Sequence, residues 1–119
     1  MSKKILIIDD DDDILSLVSY LLKEDGYSVI SSTTSKILTK LGKIKPDLIL
    51  LDCWLPGVFG DDLCREIRSN ALYKHIPIIM ISAVNNLSFI AKECNADGYI
   101  EKPFDLDHLS AMVKQHCSQ

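Results

Sequence analysis

Nothing in this chain is long and apolar enough to cross a membrane: its hydrophobic runs are strand-length, far short of a spanning helix. Met1-Ser2-Lys3-Lys4 leads into four apolar residues only, too few for the hydrophobic region of a secretion signal. There is no basic patch, and the net charge of −4 argues against direct nucleic-acid binding. The four cysteines, Cys53, Cys64, Cys94 and Cys117, form no C-x-x-C pair, so zinc binding and dithiol redox work are not indicated. Without a secretion signal they are expected as free, mostly buried thiols. His75, His108 and His116 are scattered and lack metal-ligand spacing. Neither glycine-rich phosphate-loop motif occurs. Repeats, low-complexity stretches and linkers are missing too, so the 119 residues are expected to form one cytoplasmic domain over 1–119, with no second domain attached.

What is present is a set of charges placed where apolar runs stop. Ile5-Leu6-Ile7-Ile8 ends at Asp9 and Asp10, Leu48-Ile49-Leu50-Leu51 ends at Asp52, and Gly98-Tyr99-Ile100 leads to Glu101, Lys102 and Pro103. Short unalternating apolar runs describe strands of a parallel sheet covered by helices on both faces. Ligands of such sheets bind outside the carboxyl ends of the strands, where these charges would lie. Carboxylates forced together repel, so the cluster calls for a cation. A hard divalent ion with oxygen ligands, most simply Mg²⁺, together with the Lys102 ammonium would supply it.

Helical patterns alternate with the strands five times. Ile14, Leu17, Val18, Leu21 and Leu22 follow helical spacing, begun by Asp11 to Asp13 and ended before Gly26. Val29 and Ile30 make a short second strand. A weak second helix is expected from Ser35 through Ile37, Leu38 and Leu41, closed by Gly42. The third strand is Asp47 to Leu51, followed by a turn at Leu55-Pro56-Gly57 and a helix turning Leu63, Cys64 and Ile67 inward. Pro77 to Ile81 is the fourth strand, its proline at the tolerated first position. Leu87, Ile90, Ala91 and Cys94 mark a fourth helix, with Asn95 suited to a left-handed cap. Asp105 caps a fifth, carrying Leu106, Leu109, Met112 and Val113. Strand and helix in alternation imply right-handed crossovers and a doubly wound α/β sheet.

In order along the chain stand the acidic pair of KKILIIDDDDDI, the aspartate of PDLILLDCWLPG, the hydroxyl of PIIMISA, the aromatic of ADGYI and the lysine of EKPF. Over essentially its whole length the chain resembles a response-regulator receiver domain, the phosphoacceptor module of two-component signalling. The resemblance implies a flavodoxin-like (βα)5 fold with strand order 2-1-3-4-5, which sets the ends of strands one and three side by side. It further implies that Asp52 accepts the phosphoryl group, and that Asp10, Asp52 and the Trp54 carbonyl bind Mg²⁺ with Asp9 assisting through water. Lys102 would pair with Asp52 and then with the phosphoryl group. Ser82 would donate its hydroxyl to a phosphoryl oxygen, and Tyr99 would change rotamer as Ser82 moves. Partners would be a sensor histidine kinase or histidine phosphotransfer protein and a downstream protein target, with a homodimer conceivable through the face of the fourth helix, fifth strand and fifth helix. Such a domain is a switch and not an enzyme, catalysing only its own phosphorylation and dephosphorylation. The Lys102–Pro103 bond is cis in the family.

Plainer explanations exist for single residues. Asp11 to Asp13 suit a solvated helix start, Ser82 is an ordinary strand end, and Tyr99 could simply pack. Asp52 resists such an explanation, because a carboxylate at the end of a buried strand is costly unless used or paired. Ser82 stands where the family more often has threonine, and Phe59 where it often has aspartate. The stretch from Ser82 to Lys102 is short for the family, which bears on the partner-facing surface more than on the chemistry. Trp54 and Val84, each two residues beyond a site residue, offer no group to orient water, so slow loss of the phosphoryl group is expected. Two other functions compete. A haloacid-dehalogenase-like phosphohydrolase would place its nucleophile after the first strand and its acidic pair last, the reverse of this order. A docking module indifferent to phosphate would not need every site position filled.

Overall fold

The computed structural model describes residues 2–117. Five parallel strands form one sheet: β1 (Lys4–Ile8), β2 (Ser28–Ser32), β3 (Leu48–Asp52), β4 (Ile78–Ser82) and β5 (Gly98–Glu101). Their spatial order is β2-β1-β3-β4-β5, as expected. The helices are α1 (Asp12–Glu24), α2 (Leu41–Ile44), α3 (Gly60–Ser69), α4 (Leu87–Glu93) and α5 (Leu106–Cys117).

The central strands read as continuous apolar runs because each face has its own core. Ile5 and Ile7, Leu48 and Leu50, and Ile79 and Ile81 pack with α1 and α5. Their neighbours Leu6 and Ile8, Ile49 and Leu51, and Ile78 and Met80 pack with α2, α3 and α4. Alternate side chains of a strand leave opposite faces, so both sets must be apolar. The register runs Ile8 beside Leu51 and Leu51 beside Met80. The residue following β1 therefore emerges beside Asp52.

Asp11 starts α1, its side chain accepting from the Asp13 and Ile14 amides. Gly26 follows the helix at φ +99°. The buried face of α1 keeps most of the expected stripe, with Ile14 and Leu21 half-buried against the core, and differs at Leu17. Leu15, Val18 and Leu22 are buried, whereas Leu17 is 45% exposed. Two overlapping helical spacings exist in this leucine-rich stretch, and packing on the sheet face of β1 and β3 buries Leu15.

The second helix is also corrected. Ser35–Lys40 is a 3₁₀ segment with no buried residue, and a single α turn, α2, follows. Ile37 and Leu38 pack on the core only half-buried, a weak tertiary hold for a short helix. Gly42 lies inside α2 and does not close it; a Cβ there would come within 3.1 Å of the Tyr73 hydroxyl. The left-handed cap is Lys45, at φ +49°. Asn95 takes its expected left-handed conformation at φ +61°. α4 is only seven residues long, in the stretch expected to be short.

The turn after β3 is a small antiparallel hairpin, Trp54–Leu55 against Val58–Phe59. Pro56 and Gly57 form its bend, Gly57 at φ +77°, as a proline-led type II turn requires. The Lys102–Pro103 peptide is cis.

Candidate functional site

β1 and β3 carry their carboxylates out at one end of the sheet. Asp9 is 1% exposed and Asp52 5%, a burial that demands partners. Asp9 has two: its Oδ1 accepts from the Asp11 amide at 2.9 Å and its Oδ2 from Lys102 Nζ at 2.8 Å. Asp52 Oδ1 accepts from the Trp54 amide at 3.2 Å, and its Oδ2 lies 3.5 Å from Lys102 Nζ. Asp10, next along the chain, is exposed.

Lys102 reaches the cluster from beyond β5. Its amide donates to the Ser82 carbonyl at 2.8 Å, extending the β4–β5 ladder by one step. Ser82 is buried, and its Oγ accepts from the Val84 amide at 3.3 Å. Asp10, Asp52, Trp54, Ser82, Ala83, Val84 and Lys102 surround an open depression of about 370 Å³.

Charge is unevenly balanced here. Burial pushes the Asp52 carboxyl up to about 6; the Trp54 amide and Lys102 pull against this, while Asp9 and Asp10 add to it. Lys102 loses hydration through burial, yet its hydrogen bond to Asp9 and the nearby Asp52 charge outweigh that, and it holds its proton more tightly than usual.

Oxygen atoms of Asp9, Asp10 and Asp52 lie within 4.8 Å of one another. An all-carboxylate donor set of this size suits a hard divalent cation such as Mg²⁺ and is a poor match for a thiolate- or imidazole-preferring metal. The four cysteines are free and buried, as expected.

The sequence-predicted residues Asp9, Asp10, Asp52, Trp54, Ser82 and Lys102 thus meet at one end of the sheet. Tyr99 does not join them: it pairs with Met80 in the ladder, stands 37% exposed on β5 and does not line the depression. Lys102 is nearer to Asp9 than to Asp52, the partner that the resemblance implied.

One contributor escaped the sequence reading. A Cβ at Gly60 would fall 2.1 Å from the Asp52 carbonyl oxygen, so only glycine lets the start of α3 cross the acidic strand this closely. Its signal was a glycine directly after a Pro-Gly hairpin.

Comparison with known proteins agrees with this geometry. The family described as response regulator receiver domain matches residues 5–114. The alkaline phosphatase synthesis transcriptional regulatory protein PhoP of Bacillus subtilis is 38% identical over 117 residues, covering 96% of this chain and 48% of that protein. The DNA-binding response regulator MtrA of Mycolicibacterium smegmatis is 33% identical over 117 residues, covering 96% and 50%. The chain thus spans about half the length of these curated relatives. Among solved structures, a CheY-like response regulator receiver domain protein from Methanospirillum hungatei superposes with a TM-score of 0.90 at 30% identity, covering 99% of this chain and 95% of that one.

Proposed function

The chain belongs to the response-regulator receiver family, and we propose that it is a phosphorylation switch whose acceptor is Asp52. The observation that carries this reading is the convergence of Asp9, Asp10 and Asp52 with Lys102 at one end of the sheet, beside an open depression.

Phosphoryl transfer asks the protein for positioning and charge neutralisation more than for covalent chemistry. In this reading an Asp52 carboxylate oxygen attacks phosphorus in line. The phosphorus–nitrogen bond of a phosphohistidine breaks as the new bond forms, and the imidazole nitrogen keeps the electron pair. The Trp54 amide on Oδ1 orients the carboxylate. Lys102, already near Oδ2, shifts its ammonium toward the incoming phosphoryl oxygens. The Ser82 hydroxyl donates to one of those oxygens. Asp10, Asp52 and the Trp54 carbonyl would hold Mg²⁺, with Asp9 in support, and the bound ion would add positive charge for the phosphoryl oxygens.

The donor in this reading is a sensor histidine kinase or a histidine phosphotransfer protein. The readout is a change in the face made by α4, β5 and α5, where Phe89 and Tyr99 stand exposed. An aspartyl phosphate is a high-energy group and can shift a two-state population roughly 100-fold with a few kcal/mol. A downstream protein, or a second copy of the chain, would read that face. Trp54 and Val84 supply no base for water, which supports a phosphoryl lifetime of minutes or longer.

Intact mass after incubation with phosphoramidate and Mg²⁺ tests the acceptor. One added phosphoryl group, Mg²⁺-dependent and lost in Asp52→Asn, is the expected result. No addition to a folded wild type would defeat the reading and favour a docking module indifferent to phosphate.

A further inference from the structure

Two exposed aromatic rings touch each other beside the depression. Trp54 and Phe59 are 57% and 53% exposed. Their ring centroids are 5.4 Å apart and their planes meet at 83°, the edge-to-face arrangement that ring quadrupoles favour. The backbone brings them together. They face each other across the hairpin, and the Gly60 amide closes it with a 2.8 Å bond to the Cys53 carbonyl. Because Gly60 lies against the Asp52 carbonyl, the main chain at Phe59 is fixed relative to that strand. Trp54 lines the depression and Phe59 does not.

We propose that Phe59 is a positioning residue for the phosphorylated state, holding the Trp54 indole at the rim where it obstructs water approaching a phosphoryl group on Asp52. The inference rests on the acceptor role proposed above. Hydrolysis forms a bond from a water oxygen to phosphorus while the bond from phosphorus to the Asp52 carboxylate oxygen breaks. The water gives up a proton to solvent, inorganic phosphate leaves and the carboxylate returns. Indole has an N–H donor and no acceptor for that proton, so a ring fixed here takes up space without assisting. An exposed side chain would otherwise exchange rotamers within nanoseconds. Contact with Phe59 favours one of them.

The test charges the protein with phosphoramidate and Mg²⁺, removes the donor, and follows loss of the phosphoryl group by intact mass. Wild type is compared with Phe59→Ala, Phe59→Tyr, Trp54→Ala and the Trp54→Ala/Phe59→Ala double variant. Trp54 is the chain's one tryptophan, so acrylamide quenching of its fluorescence in the uncharged protein reports the freedom of the indole separately from any chemistry. Phe59→Ala is expected to shorten the phosphoryl lifetime about 2- to 10-fold, the range open to one aromatic pair, and to raise the quenching rate. Phe59→Tyr keeps the ring and should restore both. The double variant should match Trp54→Ala alone, because coupled residues do not act additively. An unchanged lifetime in Phe59→Ala, or additive losses in the double variant, overturns the inference and leaves the acceptor role standing. A wild type that takes up no phosphoryl group removes both.

Discussion

Lys102 donates a 2.8 Å hydrogen bond to Asp9 while standing 3.5 Å from Asp52, so its charge is shared unequally between two buried carboxylates. Asp9 is well compensated. Asp52 is held by one amide and a more distant ammonium, and burial pushes its carboxyl up to about 6. The carboxylate left short of positive charge is the one proposed to receive the phosphoryl group.

Lys102→Met should lower the stability of the metal-free protein by about 2 kcal/mol, since it strands a buried carboxylate beside two others. Mg²⁺ should then raise the melting temperature of this variant more than that of wild type, because the ion takes over the missing charge. Urea titrations with and without Mg²⁺ check both statements. An unchanged midpoint in the metal-free variant would contradict the pairing.

Asp52→Asn should act in the opposite direction. A carboxyl that titrates at 3.8 ordinarily and at about 6 in the fold favours the folded state fully below 3.8, and that contribution disappears as pH rises through about 6. At neutral pH in EDTA the asparagine variant should therefore be more stable by on the order of 2 kcal/mol. The gap should close as pH falls toward 3.8. Added Mg²⁺ should narrow it from the other side, by stabilising wild type more than the variant. Denaturation midpoints at several pH values decide the matter, and a gap independent of pH would refute the assignment.

Gly60→Ala should cost at least about 2 kcal/mol, because the new methyl meets backbone and no flexible side chain. The displaced segment carries Asp52, so phosphorylation by phosphoramidate should slow together with the loss of stability. Normal stability and rate in Gly60→Ala would mean that the crossing at Asp52 is looser than described.

The thiols should be inert in the native protein. Burial pushes Cys53 up to about 12 and Cys117 up to about 11, and the hydrogen bond with Cys94, together with burial, raises Cys64. Cys94 is lowered to about 7, chiefly by its hydrogen bond with Cys64, so its inertness rests on burial, which all four thiols share. Reaction with Ellman's reagent at mildly alkaline pH should proceed only as fast as the chain unfolds. Rapid labelling of one thiol in the folded protein would count against this.

The sheet was legible because three of its strands are buried on both faces and leave uninterrupted apolar runs. Asp9, Asp10 and Asp52 were legible because they follow such runs, and Lys102 because it stands just beyond the shorter apolar stretch of β5. Side-chain pattern was a poorer guide where it allowed two answers: Leu15 and Leu17 both fit a helical stripe, and only packing against the sheet chose between them. The 3₁₀ segment at Ser35–Lys40 had apolar residues at helical intervals, but Ile37 and Leu38 reach the core only half-buried. Gly60 and the Trp54–Phe59 contact depend on how tightly a six-residue hairpin folds back, a distance that composition does not encode.

The bond between Asp9 and Lys102 joins residues 93 positions apart. During synthesis the aspartates leave the ribosome long before the lysine that neutralises them. A chain stopped before residue 102 would carry the whole negative cluster and lack this counter-charge. Without a bound cation, the acidic end of the sheet gains this counter-charge only once the residue beyond the fifth strand is in place.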